Sequence, residues 1–191
     1  MKRLMILVVM FWLTGCGVFR VAVPTLLDRD PGFTFTLPRD FASDASGKNN
    51  ETEGAWSDSA QNGRILIRTI RLNPPQQDIA AQTKLYGEQY LVQIEKNPDF
   101  TDTVVDKHGV IKLADHDAYE YIYTAKKAQA RWRRRIIAVS PYDPALMVDM
   151  ELSALAGTQD KYESPFDDML DSWKWVDKKG ASEEAGSTEK K

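Results

Sequence analysis

The chain has 191 residues, 42% hydrophobic and 28% charged, with 25 lysines and arginines against 28 aspartates and glutamates, a formal charge of −3. That length favours one domain with a core large enough to hold without staples, and the mild acidic excess argues against a nucleic-acid partner. Cys16 is the only cysteine, which excludes an intrachain disulfide.

Lys2 and Arg3 precede an apolar run from Leu4 to Leu13, too short to span a bilayer. The run ends in Leu13-Thr14-Gly15-Cys16, which resembles the lipobox of bacterial lipoproteins. The resemblance implies that residues 1–15 are a signal peptide cut behind Gly15. It also implies that Cys16 is acylated and becomes the first residue of a membrane-held chain in the cell envelope. Gly17 follows Cys16 where an acidic residue would resemble an inner-membrane retention signal, so the expected location is the outer membrane, facing the periplasm. Residues 16–31 read as a tether, in which Phe19, Val21 and Val23 alternate with Arg20 and Ala22. Residues 32–176 read as a single α+β domain, and residues 177–191 as a polar, disordered tail.

Within the domain, Phe33, Phe35 and Leu37 alternate with Thr34 and Thr36 as a strand that Pro38 ends. Residues 43–54 read as a loop. Ala55-Trp56-Ser57 and Arg64–Leu72 flank Gln61-Asn62-Gly63, a hairpin-turn signal. After Pro74-Pro75, Asp78 caps a helix carrying Ile79, Thr83, Tyr86, Tyr90 and Ile94, stopped by Asn97-Pro98. Three β-rich runs follow: Val104–Ala125, with a turn near Lys107-His108-Gly109, then Arg131–Ser140 and Leu146–Ala154. The last two should pair as a hairpin about Pro141-Tyr142-Asp143-Pro144. Ala138 would face Val148 and Ile136 would face Met150; Arg135 would face Glu151 and Ile137 would face Asp149. Ser164 and Pro165 read as the N-cap and first position of a closing helix with the stripe Phe166, Met169, Leu170 and Trp173.

This order predicts a mostly antiparallel β-sheet flanked by two helices, an α+β layer fold. The Phe-x-Phe-x-Leu-Pro opening at residues 33–38, the Trp56 hairpin, the mid-chain helix, the long strands and the closing Ser172-Trp173-Lys174-Trp175 resemble the PsbP/DcrB superfamily. The resemblance implies an α-β-α sandwich and an accessory or binding role, with no shared catalytic residues.

The search for chemistry yields few candidates. There is no Gly-x-Ser-x-Gly elbow, no His-Glu-x-x-His and no phosphate-cradling glycine loop. His108 reads as an exposed turn residue. Asp115-His116-Asp117 reads as a polar turn, since an extended chain sends its carboxylates and imidazole to opposite faces and suits a metal poorly. Asp167, Asp168 and Asp171 read as a solvated helix face. Tyr119, Tyr121 and Tyr123 share one strand face, the least core-like aromatic group, because three hydroxyls want partners. The sharpest anomaly is Lys126–Arg135, with Lys126, Lys127, Arg131, Arg133, Arg134 and Arg135. Arg131, Arg133 and Arg135 fall on one face, with Lys126 and Lys127 at the strand's start, an arrangement that could grip an anionic glycolipid or an acidic protein. Neutralisation by Glu120, Asp149 and Glu151 on neighbouring strands is the competing expectation.

The expected function is a non-enzymatic, lipid-anchored envelope accessory or binding protein that needs no cofactor or metal. An envelope hydrolase and a structural component of a secretion or cell-wall complex are the alternatives. A cleft gathering His108 or His116 with carboxylates would point to the first, and a broad exposed apolar patch to the second.

Overall fold

A computed structural model describes residues 32–44, 52–72 and 78–177. Among the described residues, nine strands and two helices follow in the order β1 (Phe33–Thr34), β2 (Phe41–Ser43), β3 (Thr52–Asp58), β4 (Gly63–Arg71), α1 (Ile79–Glu95), β5 (Thr101–Leu113), β6 (His116–Lys126), β7 (Ala130–Val139), β8 (Leu146–Leu155), α2 (Asp160–Asp171) and β9 (Lys174–Trp175). Seven strands form one antiparallel sheet, ordered β2-β3-β4-β8-β7-β6-β5, while β1 and β9 pair as a separate ribbon. The two helices pack on opposite faces, giving the expected three layers. Cys16, the tether and residues 178–191 lie outside the described residues. No helix among the described residues is long and apolar enough to cross a membrane.

Strand alternation decides which face each side chain meets. On β4, β7 and β8, Ile65, Ile67, Trp132, Ile136, Val148, Met150 and Leu152 point one way, into the core beneath α2. The intervening residues, among them Arg64, Arg68, Arg133, Arg135, Asp149 and Glu151, point the other way. The β7–β8 hairpin has the register the apolar pattern requires: Ala138 faces Val148, Ile136 faces Met150, Ile137 faces Asp149 and Arg135 faces Glu151. A slip of one residue would drive both acids into the α2 core.

Asp78 caps α1 as expected, its Oδ1 accepting from Ala81 N at 3.0 Å. The start of α2 differs from expectation: the helix begins at Asp160, a turn before Ser164, and Pro165 lies inside it. Proline removes one helical donor, and burial of Tyr162 outweighs that loss. The Tyr162 hydroxyl donates to Asp58 Oδ2 at 3.0 Å while Asp58 Oδ1 accepts from Gly63 N at 2.9 Å. Tyr162 thereby joins Phe166, Met169 and Leu170 on one buried stripe, each large side chain contributing roughly 1.5–3 kcal/mol.

Three turns also differ from expectation. No turn interrupts β5 near His108; the strand runs through, with a bulge between Val105 and Lys107. The chain reverses instead at Ala114-Asp115, whose φ values of 46° and 66° suit a two-residue hairpin loop. The span expected as a loop, residues 43–54, contains the ends of β2 and β3. In the β3–β4 hairpin the left-handed position is taken by Gln61, at φ 56°. Gly63 opens β4, where a Cβ would run into the Tyr162 ring, so this glycine serves close packing and not the turn.

Candidate anion-binding groove

The sheet face under α1 is only partly covered. The helix packs on β5, β6 and β7, where Gly87 lies against the Tyr119 ring. Tyr119, Tyr121 and Tyr123 are all buried there, so the stripe read as least core-like is core. The Tyr119 hydroxyl sits 3.0 Å from His108 Nδ1, and the Tyr121 hydroxyl has no hydrogen-bond partner among the described residues. Burial pushes the pKa of Tyr121 up, which keeps that phenol neutral.

Beyond the helix, toward β8, β4 and β3, the same face is built in cross-strand rows. One row reads Arg68, Asp149, Ile137, Tyr119, and the next reads Leu66, Glu151, Arg135, Tyr121. The third reads Arg64, Ser153, Arg133, Tyr123. Each of the first two rows contains an acid. The third contains none.

That difference sets the electrostatics. Arg135 grips Asp149 with two bonds, Nε to Oδ1 at 2.6 Å and Nη2 to Oδ2 at 2.5 Å, and Arg68 Nε reaches the same carboxylate at 3.0 Å. Burial opposes charge on Arg135, yet Asp149 outweighs it and raises the pKa further. Arg134 turns to the opposite face, between Glu120 and Asp167. Internal neutralisation accounts for both of these arginines. Arg133, 9% exposed, reaches Glu151 only at 3.6 Å and lies under the Phe100 ring, 4.9 Å from its centroid. Arg131 makes no ion pair among the described residues; Nε donates to Ser153 Oγ at 2.8 Å and Nη2 to the carbonyls of Asn62 and Ser153. Burial and the charges of Arg133 and Arg64 lower its pKa against the opposing charge of Glu151, although a guanidinium stays protonated.

Arg64, Arg131, Arg133 and Ser153 line a groove of about 340 Å³ with Asp44, Ser57, Gln61 and Glu151. Three guanidiniums meet there around Ser153, opposed by two carboxylates. Asp44 is engaged by Ser57 Oγ at 2.8 Å and by Arg64 Nε at 3.6 Å. Nη1 of Arg131 and Nη2 of Arg133 make no hydrogen bond among the described residues, and the accepted bond leaves the Ser153 hydroxyl hydrogen free to donate. The arrangement offers planar, charged donors of the kind that hold phosphate or carboxylate.

Of the residues expected to bind an anion, Arg131 and Arg133 meet in the groove, Arg135 is committed to Asp149, and the two lysines stand apart. Lys126 ends β6 on the opposite face, opposite Ala130, and Lys127 in the following turn bonds Asp99 at 2.9 Å. The sequence does not point to Arg64, Asp44, Ser57 or Gln61. Alternation with Ile65 and Ile67 puts Arg64 on a polar face, but no sequence signal shows that β4 crosses over to pair with β8.

The histidines form no such cluster. His108 lies within β5. His116 follows the β5–β6 turn in an open cleft with Asp115, Asp171 and Trp175, and neither ring is hydrogen-bonded to a carboxylate among the described residues. Asp117 pairs with Lys112 at 2.6 Å. No three His, Cys, Asp or Glu side chains among the described residues gather as a metal site would require.

No family model matches the sequence, and no curated protein matches it. Solved structures do. The chain is similar to the solution structure of cyanobacterial PsbP (CyanoP) from Synechocystis sp. PCC 6803, with a TM-score of 0.56 at 13% identity, covering 78% of this chain and 89% of that one. It is also similar to LpqN of Mycobacterium tuberculosis, a protein involved in cell envelope biogenesis, with a TM-score of 0.51 at 11% identity over 78% and 87% of the two chains. The fold is PsbP-like. The sandwich implied by the aromatic landmarks is present.

Proposed function

We propose that this is a lipid-anchored envelope protein that acts without catalysis, binding a phosphate-bearing headgroup between Arg64, Arg131 and Arg133. The observation that carries the reading is the third row: two arginines flank Ser153, a third lies beside it, and Arg131 has no acid partner among the described residues. A tetrahedral phosphate accepts from several guanidinium edges and from the Ser153 hydroxyl at once. The groove's modest volume suits a headgroup, while Asp44, Gln61 and Ser57 supply polar contacts for the hydroxyls of a glycerol or sugar.

The envelope setting draws support from the lipobox-like residues 13–16 and from the likeness to LpqN, whose own role is in cell envelope biogenesis. A Cys16 anchor would hold the groove close to headgroups and raise their effective concentration. Intact-mass measurement tests the anchor: acylated Cys16 at the N-terminus is expected, and an unmodified or differently cut chain contradicts it. NMR of the arginine Nε–Hε groups tests the groove. On addition of sn-glycerol 1-phosphate, signals of Arg64, Arg131 and Arg133 should move while those of Arg134 and Arg135 stay. The opposite pattern contradicts the proposal.

A further inference from the structure

The charges in and behind the groove narrow the kind of phosphate it can hold. On the sheet face shared with α1, Arg64, Arg68, Arg131, Arg133 and Arg135 gather about only three carboxylates, Asp44, Asp149 and Glu151. Arg64 is matched by Asp44 at 3.6 Å. Arg68 and Arg135 share Asp149, at 3.0 Å and 2.5 Å. Glu151 is divided three ways, with Arg133 at 3.6 Å, Arg68 at 3.8 Å and Arg135 at 4.0 Å. Three arginines therefore divide two acids, which leaves one positive charge over. Arg131, without an ion pair among the described residues, adds a second. Lys127 and Asp99, beside Phe100, cancel each other. The surplus of this cluster among the described residues is two.

Burial makes that surplus matter. Arg133, Asp149 and the stems that join them are shielded from water, and salt screens buried charges much less than exposed ones. A ligand that cancels both charges is then held better than one that cancels half. A phosphate monoester carries about −1.5 to −2 at neutral pH, whereas a phosphodiester carries a single charge. The placement of the donors agrees. Arg64 and Arg133 flank Ser153 from the two neighbouring strands, and Arg131 reaches Ser153 from one row further along. Guanidiniums thus approach from three sides. A monoester offers three terminal oxygens to them; a diester offers two and must find room for a second substituent.

We infer that the groove takes a headgroup ending in a phosphate monoester and discriminates against the phosphodiesters of ordinary phospholipid headgroups, a specificity that rests on the phosphate binding proposed above. The selection comes from the charge of the whole cluster and not from the groove lining alone. Arg68, which does not line the groove, contributes to it through Asp149 and Glu151.

Calorimetric titration of the full chain with sn-glycerol 1-phosphate and with its methyl ester tests this, because the second probe is the first with one terminal oxygen capped and one charge removed. The monoester should bind at least tenfold more tightly. Arg68→Gln lowers the surplus to one without removing a groove contact, and Asp149 keeps its two bonds from Arg135. In that variant the ratio of the two affinities should fall by at least half. A ratio of two ligands on one protein does not move with the fraction folded, so a merely structural role for Arg68 leaves it unchanged. Binding of neither probe to the parent chain contradicts the phosphate reading of the groove and this inference with it. Equal or tighter binding of the methyl ester overturns the inference alone, and so does a ratio that Arg68→Gln does not alter.

Discussion

Arg131 is tied to Ser153 twice, Nε to the hydroxyl at 2.8 Å and Nη2 to the carbonyl at 3.2 Å, and makes no ion pair among the described residues, Glu151 acting on its charge only from across the groove. Further along β7, Arg135 meets the opposite circumstance in Asp149. The two arginines are equivalent by alternation and differ by neighbour alone.

Their substitutions should therefore separate stability from binding. Arg135→Gln leaves Asp149, 1% exposed, with Arg68 as its remaining partner. Breaking a buried pair from one side costs about 3 kcal/mol. Arg131→Gln removes hydrogen bonds to neutral acceptors and should cost about 1 kcal/mol. Urea unfolding of the two variants gives the comparison, and equal losses would contradict the assignment of Arg135 as the structural arginine.

Acid sensitivity should trace to Glu120, 1% exposed on the α2 side of the sheet. Burial alone would raise its pKa, but hydrogen bonds from Lys107 and Arg134 outweigh burial and hold the carboxyl below the usual range. A depressed carboxylate stabilises the fold fully above its unfolded value near 4.5 and ceases to as pH falls through the lower folded value. Glu120→Gln should be less stable than the parent at neutral pH, with the difference shrinking below about pH 4.5. Urea midpoints measured against pH check this; a constant gap down to the acid transition would contradict it.

Gly87→Ala gives a test of sign. In an exposed helix the change would stabilise by about 1 kcal/mol. Here the new methyl group meets the ring of buried Tyr119, held on β6, and overpacking costs about 1–3 kcal/mol. Thermal unfolding should show a net loss that Tyr119→Leu relieves in the double variant. A gain in the single variant would mean that α1 is not seated as described.

Local patterns carry most of the fold. Asp78 with Ile79 to Ile94 spells α1, and the apolar alternation of Ile136, Ala138, Val148 and Met150 fixes the β7–β8 register, because a slip would bury two acids. Lys107-His108-Gly109 misleads, since turn-forming residues also tolerate an extended strand that is paired along its inner side. The start of α2 is hidden because Ser164-Pro165 is a strong local signal, while burial of Tyr162 against Asp58 joins residues more than a hundred positions apart. The groove is half legible for the same reason. Arg131 and Arg133 stand out within one segment, whereas Arg64 joins them only through the β4–β8 pairing, which no local pattern announces.

Calorimetric titration of the full chain with sn-glycerol 1-phosphate, beside the double variant Arg131→Gln and Arg133→Gln, tests the groove most directly. The account predicts saturable binding to the parent chain that weakens with added salt, and at least a tenfold loss in the double variant, about 1.4 kcal/mol. Its urea midpoint should stay well above that of Arg135→Gln, which shows the loss to be one of binding and not of folding. Equal affinity in parent and double variant, or no saturable binding to the parent, would contradict it.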